Sequence, residues 1–372
     1  MRFDTRLVHI GQEPDPVSGD LVPAVHLSTA YERRVQEPPR YFYGRGENPT
    51  RERLERCLAS LEEARFASAF ASGQAATATA LSLLPPGRRV VSTDDVYAGT
   101  DALFARLGAA VEYADLSDPD VLRARLTAPD LGMVWIETPT NPLLKVVDIG
   151  VVRQTVAGRD VLVVVDNTFA SPMLQQPLAL GADLSLYSTT KFVAGHGDVL
   201  GGALVYDDEA LDGAIRGYRV DVGNVPGALD CYLVHRGLKT LSLRVDRQVR
   251  NAQELVELLR AHDRVGAVHY PGLPDHPQYA VAKSQMAQPG SIVSFEYLGR
   301  PEELLSRTTL FSCAVSLGAV HSLIECPALM THRPVPPEVR ERRGISDRLI
   351  RLSAGIEDPR DLVEDLRSSL DP

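Results

Sequence analysis

The stretch VLVVVDNTFASPMLQQPLALGADLSLYSTTK, Val161 to Lys191, decides how this chain is read. It holds two short strand-like runs, VLVVVD from Val161, rich in β-branched valine, and ADLSLYS from Ala182, each of the length of a strand. The first ends on a carboxylate, Asp166; the second runs into three hydroxyls, Ser188, Thr189 and Thr190, and then Lys191. Working outward, the same alternation continues. A helical GQAATATALSLL starts at Gly73, a strand RRVVS at Arg88, a helix at Thr100, a strand MVWIE at Met133, and a further helix covers about Ile149 to Ala157. Short apolar strands separated by helices predict a mostly parallel sheet covered on both faces, an α/β fold.

Beyond this block the texture changes in both directions. Residues 1 to about 55 are rich in turn formers, as in GQEPDPVSGD and QEPPR, and read as an extended arm suited to lying on a neighbour. After Arg236 a long helical stretch, KTLSLRVDRQVRNAQELVELLRAHD, leads into strand-like SIVSFEY and a closing DRLIRLSAGIEDPRDLVEDLRSSL. The expected division is therefore an arm over 1–55, a large domain over 56–235 and a C-terminal domain over 236–372. A chain of 372 residues has ample material for two cores.

Composition narrows the function classes. The net charge of −10 and the lack of a basic patch argue against nucleic acid and anionic lipid as partners. No run reaches the roughly 18 apolar residues of a membrane span. Four cysteines, Cys57, Cys231, Cys313 and Cys326, lack metal-ligand spacing and are expected as buried reduced thiols. With no signal-peptide pattern at MRFDTRLVHIGQEPDP, the expected location is cytoplasmic.

In open α/β sheets, ligands bind beyond the carboxyl ends of the strands, which here carry Glu137, Asp166 and Ser188 to Lys191. A lysine in an ordinary turn serves solubility, and a strand-end aspartate is often a helix cap. The cluster argues otherwise. Asp166 closes a wholly apolar strand, where a carboxylate needs a cation or donors. Gly73 opens a helix whose free N–H groups make an anion site, to which Ser188 and Thr190 can add donors. A ligand with a phosphate at one end, a basic ring nitrogen at the other and an aldehyde for Lys191 fits all three, and pyridoxal 5′-phosphate is such a ligand. Only a primary amine captures an aldehyde this way, and it must be made nucleophilic by a lowered pKa.

At these residues the sequence resembles the Cys/Met-metabolism enzymes dependent on pyridoxal phosphate, which include cystathionine γ-synthase, cystathionine γ-lyase and methionine γ-lyase. The resemblance covers nearly the whole chain and rests on YGRGENPTR, ASGQAAT, VYAGT, ETPTNP, VVVDNTF, STTKFVAGHGDV, DCYLVHRGLKTL, SLGAVHSL and PALMTH, in that order. It implies a type I fold, like that of aspartate aminotransferase, with 56–235 binding the cofactor, and a homotetramer built from two catalytic dimers. It implies that Lys191 carries the cofactor covalently and Asp166 faces the ring nitrogen. Gly73 and Gln74, with Ser188 and Thr190, would cradle the phosphate, and Tyr97 would stack on the ring. Tyr43 and Arg45 of the arm would reach the neighbouring subunit's phosphate. Asn141 would lie beside the cofactor, Arg351 would clamp the substrate carboxylate, and Ser316 would lie beside the substrate.

Three positions depart from the family members that act on cystathionine. Phe42 stands where an acidic residue is common, Ala102 where an arginine is usual and His321 where a glutamate is usual. All remove charge from one region, which suggests a less polar distal pocket and would suit methionine; against methionine, Gly99 replaces the cysteine typical of methionine lyases. His321 reads either as a pH-sensitive partner of the leaving group or as a packed residue, with the packed reading preferred. The expected reaction is a γ-elimination on methionine or cystathionine, with γ-replacement as the alternative. A dinucleotide-dependent oxidoreductase is disfavoured because GHGDVLGG lacks the GxGxxG spacing. A catalytically silent relative is disfavoured by the joint presence of Lys191, Asp166, Tyr97 and Arg351.

Overall fold

The computed structural model describes residues 1–32, 36 and 39–371. Two residues of the QEPPR turn, Glu37 and Pro38, fall outside this set. Seven strands, β1 (Phe66–Phe70), β2 (Arg89–Thr93), β3 (Val111–Ala114), β4 (Leu131–Glu137), β5 (Leu162–Asp166), β6 (Leu184–Tyr187) and β7 (Gly202–Tyr206), form one sheet in the order β1-β7-β6-β5-β4-β2-β3. The pairs from β3 to β6 are parallel, while β7 runs antiparallel to both β1 and β6.

Successive residues of these strands enter different cores. Val164 packs in one cluster with Trp135 and Phe104, whereas Val163 and Val165 pack in another with Ile149 and Val152. Since neighbouring side chains on a strand point to opposite faces, both faces are buried, which accounts for the unbroken apolar spelling of β5. The mostly parallel α/β expectation is thus met. The glycine-rich stretch after Lys191 ends earlier than its spelling suggests, because Gly202 already opens β7. A Cβ there would lie 2.2 Å from the Ser72 carbonyl oxygen, so glycine marks close backbone approach rather than a loop.

The second sheet contains β8 (Val265–His269), β9 (Ile292–Tyr297), β10 (Ser312–Cys313), β11 (Leu323–Glu325) and β12 (Leu349–Ser353), ordered β10-β11-β12-β9-β8. The helix Leu241–Ala261 joins the two cores. Its Leu241, Val245 and Val249 pack with the large sheet's cluster, and its Ala252, Leu255 and Leu259 pack with Phe295, Ile350 and Leu352.

The arm differs from a uniformly extended segment. Helix α1 (Phe3–His9) buries Leu7 in the first core, and α2 (Pro49–Leu61) starts six residues before the expected end of the arm. Asn48 sets that start: its Oδ1 accepts the N–H groups of Thr50 (2.9 Å) and Arg51 (3.2 Å), and Pro49 needs no donor at the first turn. The expected 55/56 and 235/236 boundaries therefore fall inside helices, α2 and the helix Ala228–Leu238. Cys57, Cys231 and Cys326 are buried as expected, but Cys313 is exposed on the two-residue edge strand β10. Among the described residues no helix is long and apolar enough to cross a membrane.

Candidate active site

A cavity of about 250 Å³ opens at the carboxyl ends of β4, β5 and β6, roofed by residues of the second sheet's domain. Lys191, Asp166, Gly73, Gln74, Ser188, Thr190, Tyr97, Asn141, Ser316 and Arg351 all line it. Ten residues marked in the sequence thus converge on one place.

Lys191 sits on the turn after β6, where its N–H donates to the Ser188 carbonyl at 3.1 Å. Its Nζ donates to Ser316 Oγ at 2.6 Å. Burial, reinforced by the nearby Arg351 guanidinium and opposed by Glu325, brings the amine down to about 8. A substantial fraction of neutral, nucleophilic amine is then present near neutral pH. Ser316 holds its place at φ +94°, a left-handed conformation uncommon for a non-glycine residue. Its carbonyl also accepts from Arg351 Nη2 at 2.9 Å, so one residue links the lysine to the arginine.

Arg351, 2% exposed, lies on β12 directly opposite Glu325 of β11. Its Nη2 pairs with Glu325 Oε1 at 2.9 Å, its Nη1 donates to Asn141 Oδ1 at 2.8 Å, and its guanidinium lies 5.9 Å from the centre of the Phe169 ring. Thr331 Oγ1 in turn donates to Glu325 at 2.9 Å. The guanidinium is held in one orientation before any substrate arrives.

On the opposite wall, helix α3 (Gly73–Leu81) points its N-terminus at the cavity. Ser72, rather than Gly73, caps it: Ser72 Oγ accepts from Ala75 N–H at 3.1 Å. A Cβ on Gly73 would approach Ser188 Cβ to 2.9 Å, so glycine lets the helix start come against the turn that carries the hydroxyls. Thr190 Oγ1 accepts the Gly201 N–H at 2.9 Å, bracing that turn on the residue before β7. Gln74 Nε2 donates to the Gly99 carbonyl at 2.6 Å, tying α3 to α4 (Ala98–Arg106). Tyr97 immediately precedes α4 and is 42% exposed at the cavity mouth. A Cβ on Gly99 would fall 2.4 Å from Tyr97 Cε1, so glycine makes room for this ring.

Asp166 is buried, and its hydrogen bonds are local ones to the next turn: its Oδ1 accepts the Thr168 N–H at 3.1 Å, and the Thr168 side chain bonds to it as well. No ion pair to it occurs among the described residues, and burial lifts its carboxyl to about 6. A carboxylate in that position needs a cation. Pyridoxal phosphate meets each need of the cavity: a dianion for the helix N-terminus and hydroxyls, a protonated ring nitrogen for Asp166, and an aldehyde carbon for Lys191.

Four marked residues lie elsewhere in a single chain. Phe42, Tyr43 and Arg45 line a separate hollow with Val220 and Asp221, where Arg45 Nη1 donates to the Val220 carbonyl at 2.8 Å. His321, in the bend just before β11, is exposed beside Gly197 rather than packed. Glu325, Thr331 and Phe169 join the site without a sequence expectation attached to them. Arg51 likewise has none attached: its side chain, 2% exposed, donates to the carbonyls of Gly44 at 3.0 Å and Gly46 at 2.6 Å and so holds the turn carrying Tyr43 and Arg45. The available signal was the place of Arg51 as the last residue of YGRGENPTR, the motif that also holds Tyr43 and Arg45.

Fold and cavity together define a pyridoxal-phosphate-dependent enzyme. A profile of the Cys/Met metabolism PLP-dependent enzymes matches residues 4–371, and the chain belongs to that family. It is 42% identical over 378 residues to the cystathionine beta-lyase of Coxiella burnetii, covering 99% of this chain and 97% of that protein. It is 43% identical over 378 residues to the cystathionine gamma-lyase of Homo sapiens, covering 99% and 93%. Among solved structures, CalE6 of Micromonospora echinospora, described as a cystathione gamma lyase, aligns with a TM-score of 0.97 and 67% identity over 100% of both chains. An apo form of CalE6, described as a methionine gamma lyase, aligns at 0.94 and 66% over 100% of this chain and 99% of that one.

Proposed function

We propose that the protein is a carbon–sulfur lyase that carries out γ-elimination on methionine or cystathionine, giving 2-oxobutanoate, ammonia and a thiol. The observation that carries this reading is the Lys191–Ser316–Arg351 array. A neutral-prone amine stands at 2.6 Å from a hydroxyl whose own carbonyl orients a buried guanidinium. The likeness to relatives named as cystathionine lyases and a methionine lyase supports it.

Bound pyridoxal phosphate supplies the electron sink that makes the substrate's Cα and Cβ protons acidic. The chain supplies the rest. Arg351 takes the α-carboxylate and sets the substrate's orientation, while Asn141 and Glu325 keep the guanidinium from rotating. Lys191 Nζ removes and returns protons at Cα and Cβ, a task matched to a pKa near the working pH. Asp166 would hold the ring nitrogen protonated, and the α3 N-terminus with Ser188 and Thr190 would anchor the phosphate. Tyr97, at the mouth, would protonate the departing sulfur. Ser316, Phe42 and His321 would shape the substrate's surroundings.

We further propose a homotetramer in which Tyr43 and Arg45 serve a neighbour's phosphate, since neither enters the cavity of its own chain. A cytoplasmic location is the matching proposal for a chain with three buried thiols. The alternative reaction, γ-replacement on an activated homoserine, draws support from the 38% identity to a cystathionine gamma synthase of Xanthomonas oryzae pv. oryzae, TM-score 0.96, over 100% of this chain and 98% of that one. Purified enzyme assayed with L-methionine, L-cystathionine, L-homocysteine, and an O-acylhomoserine plus thiol separates them. Release of 2-oxobutanoate and thiol from methionine or cystathionine is expected. Turnover confined to the acylhomoserine, with the thiol consumed, would overturn the lyase reading.

A further inference from the structure

Glu137 ends β4 in register with Asp166 at the end of β5. Residues paired in a parallel ladder point to the same face, and both side chains line the cavity while being 3% and 9% exposed. Two carboxyl groups therefore share one water-poor corner. Two charges at such spacing repel strongly in a low dielectric, so the pair carries one negative charge rather than two near neutral pH.

Which member carries it follows from the neighbours. Glu137 faces Asp166 on β5, Asp95 in the connection after β2, Arg351 on β12 and Tyr97 before α4. Asp95 adds a second acidic neighbour, and its own Oδ2 is occupied by Thr140 Oγ1 at 2.6 Å and Leu143 N–H at 3.1 Å. Arg351 is the only cation of this set, and it is already paired at 2.9 Å with Glu325. No ion pair to Glu137 occurs among the described residues. Burial and the adjacent Asp166 push Glu137 well above the usual carboxyl range, whereas Asp166 rises only to about 6. At the same time Glu137 Oε2 accepts the backbone N–H of Tyr97 at 2.8 Å. That N–H stands at the free N-terminal end of α4, where no intrahelical partner exists.

We infer that Glu137 is a positioning residue held as a neutral carboxylic acid: its proton leaves the pair's single negative charge on Asp166, and its carbonyl oxygen anchors Tyr97 at the cavity mouth. The inference rests on the reading of Asp166 as the partner of the cofactor's ring nitrogen. Placing the charge on Asp166 is what such a partner requires, and a carboxylic acid still accepts the Tyr97 N–H through its C=O oxygen.

The test compares holoenzyme with E137Q, E137A and D166N. The infrared difference spectrum between wild type and E137Q at neutral pH is expected to contain the C=O stretch of a protonated carboxyl. E137Q, which keeps the neutral charge and the acceptor oxygen, is expected to recover most of what E137A loses, coming within about threefold of wild-type kcat. E137A is expected to lose roughly 100-fold, chiefly in kcat, because Tyr97 is no longer held. A difference spectrum with only carboxylate stretches, an E137Q as impaired as E137A, or an E137Q that does not fold would each overturn the inference. If E137A does not fold, the spectrum and E137Q decide. D166N that keeps full cofactor affinity would instead sink the reading of Asp166, with the Glu137 band unaffected.

Discussion

At Asp166 and Lys191 burial shifts two ordinary side chains towards the states that the proposed cofactor site requires. Asp166, lifted to about 6 without a counter-cation, has to be ionised to pair with a ring nitrogen that stays protonated. Below that pH, binding must first release a proton, so cofactor affinity should fall by up to about tenfold per pH unit. Fluorescence titration of the cofactor-free protein checks this, and the Asp166-dependent part of the slope should vanish in D166N. Lys191 shows the opposite sign. Its folded-state value near 8 lies below the ordinary lysine value, so the folded chain disfavours the ammonium at neutral pH. The resulting destabilisation is complete below about 8 and is relieved as pH rises towards the unfolded value. Cofactor-free K191M should therefore melt above cofactor-free wild type at neutral pH, with the gap closing at alkaline pH in differential scanning calorimetry. An equal gap at all pH values would refute the assignment. In both residues the type was legible from the strand ends, but the shift depends on neighbours that the strand itself does not contain.

At the scale of elements, two contacts matter most. Strand β7 passes so close to the start of α3 that the Gly202 hydrogen occupies the only room beside the Ser72 carbonyl, 2.2 Å from where a Cβ would sit. Backbone cannot yield as a side-chain tip can. Gly202→Ala should push α3 away from Ser188 and weaken cofactor binding by about tenfold or more, measured by titration, while the second sheet's core remains intact. The helix Leu241–Ala261 is the other such element. Leu255 is fully buried among β9, β12 and the helix Pro359–Leu370, and Leu255→Ala should cost about 2–5 kcal/mol in guanidinium unfolding. A loss below 1 kcal/mol would mean that this core collapses around the vacancy. The helix is legible in the sequence as one long helical stretch, since a 3.6-residue period is a local property. Strands β1 (FASAF) and β7 (GALVY) escaped the same reading because alanine, serine and glycine carry little strand signal, and their pairing is made across the sheet.

For the whole molecule, the arm is decisive. Tyr43 and Arg45 lie in their own hollow, gripped through Arg51, and reach no part of the cavity in the same chain. If the neighbour's cavity receives them, a K191A variant and an R45A variant, each inactive or weak alone, should complement one another. Subunits unfolded together and reassembled as a mixture should regain about a quarter of wild-type activity, because half the catalytic dimers are mixed and each mixed dimer holds one intact site. No recovery would place the arm's role outside the neighbouring site.

By itself the sequence determined the α/β class, the strand ends that carry Glu137, Asp166 and Lys191, the glycine at the start of α3 and the family. Each of these is written in a local period or a short ordered motif. Only the tertiary structure decided which distant residues meet. The Arg351 guanidinium rests on Asn141, 210 positions away in the chain, and its pairing with Glu325 follows from the register of β11 against β12. The anchoring of Tyr97 by Glu137 and the exposure of His321 were equally invisible. Residue spacing encodes which face of an element is apolar, whereas contacts between elements are set by how those faces pack, and packing is a property of the whole core.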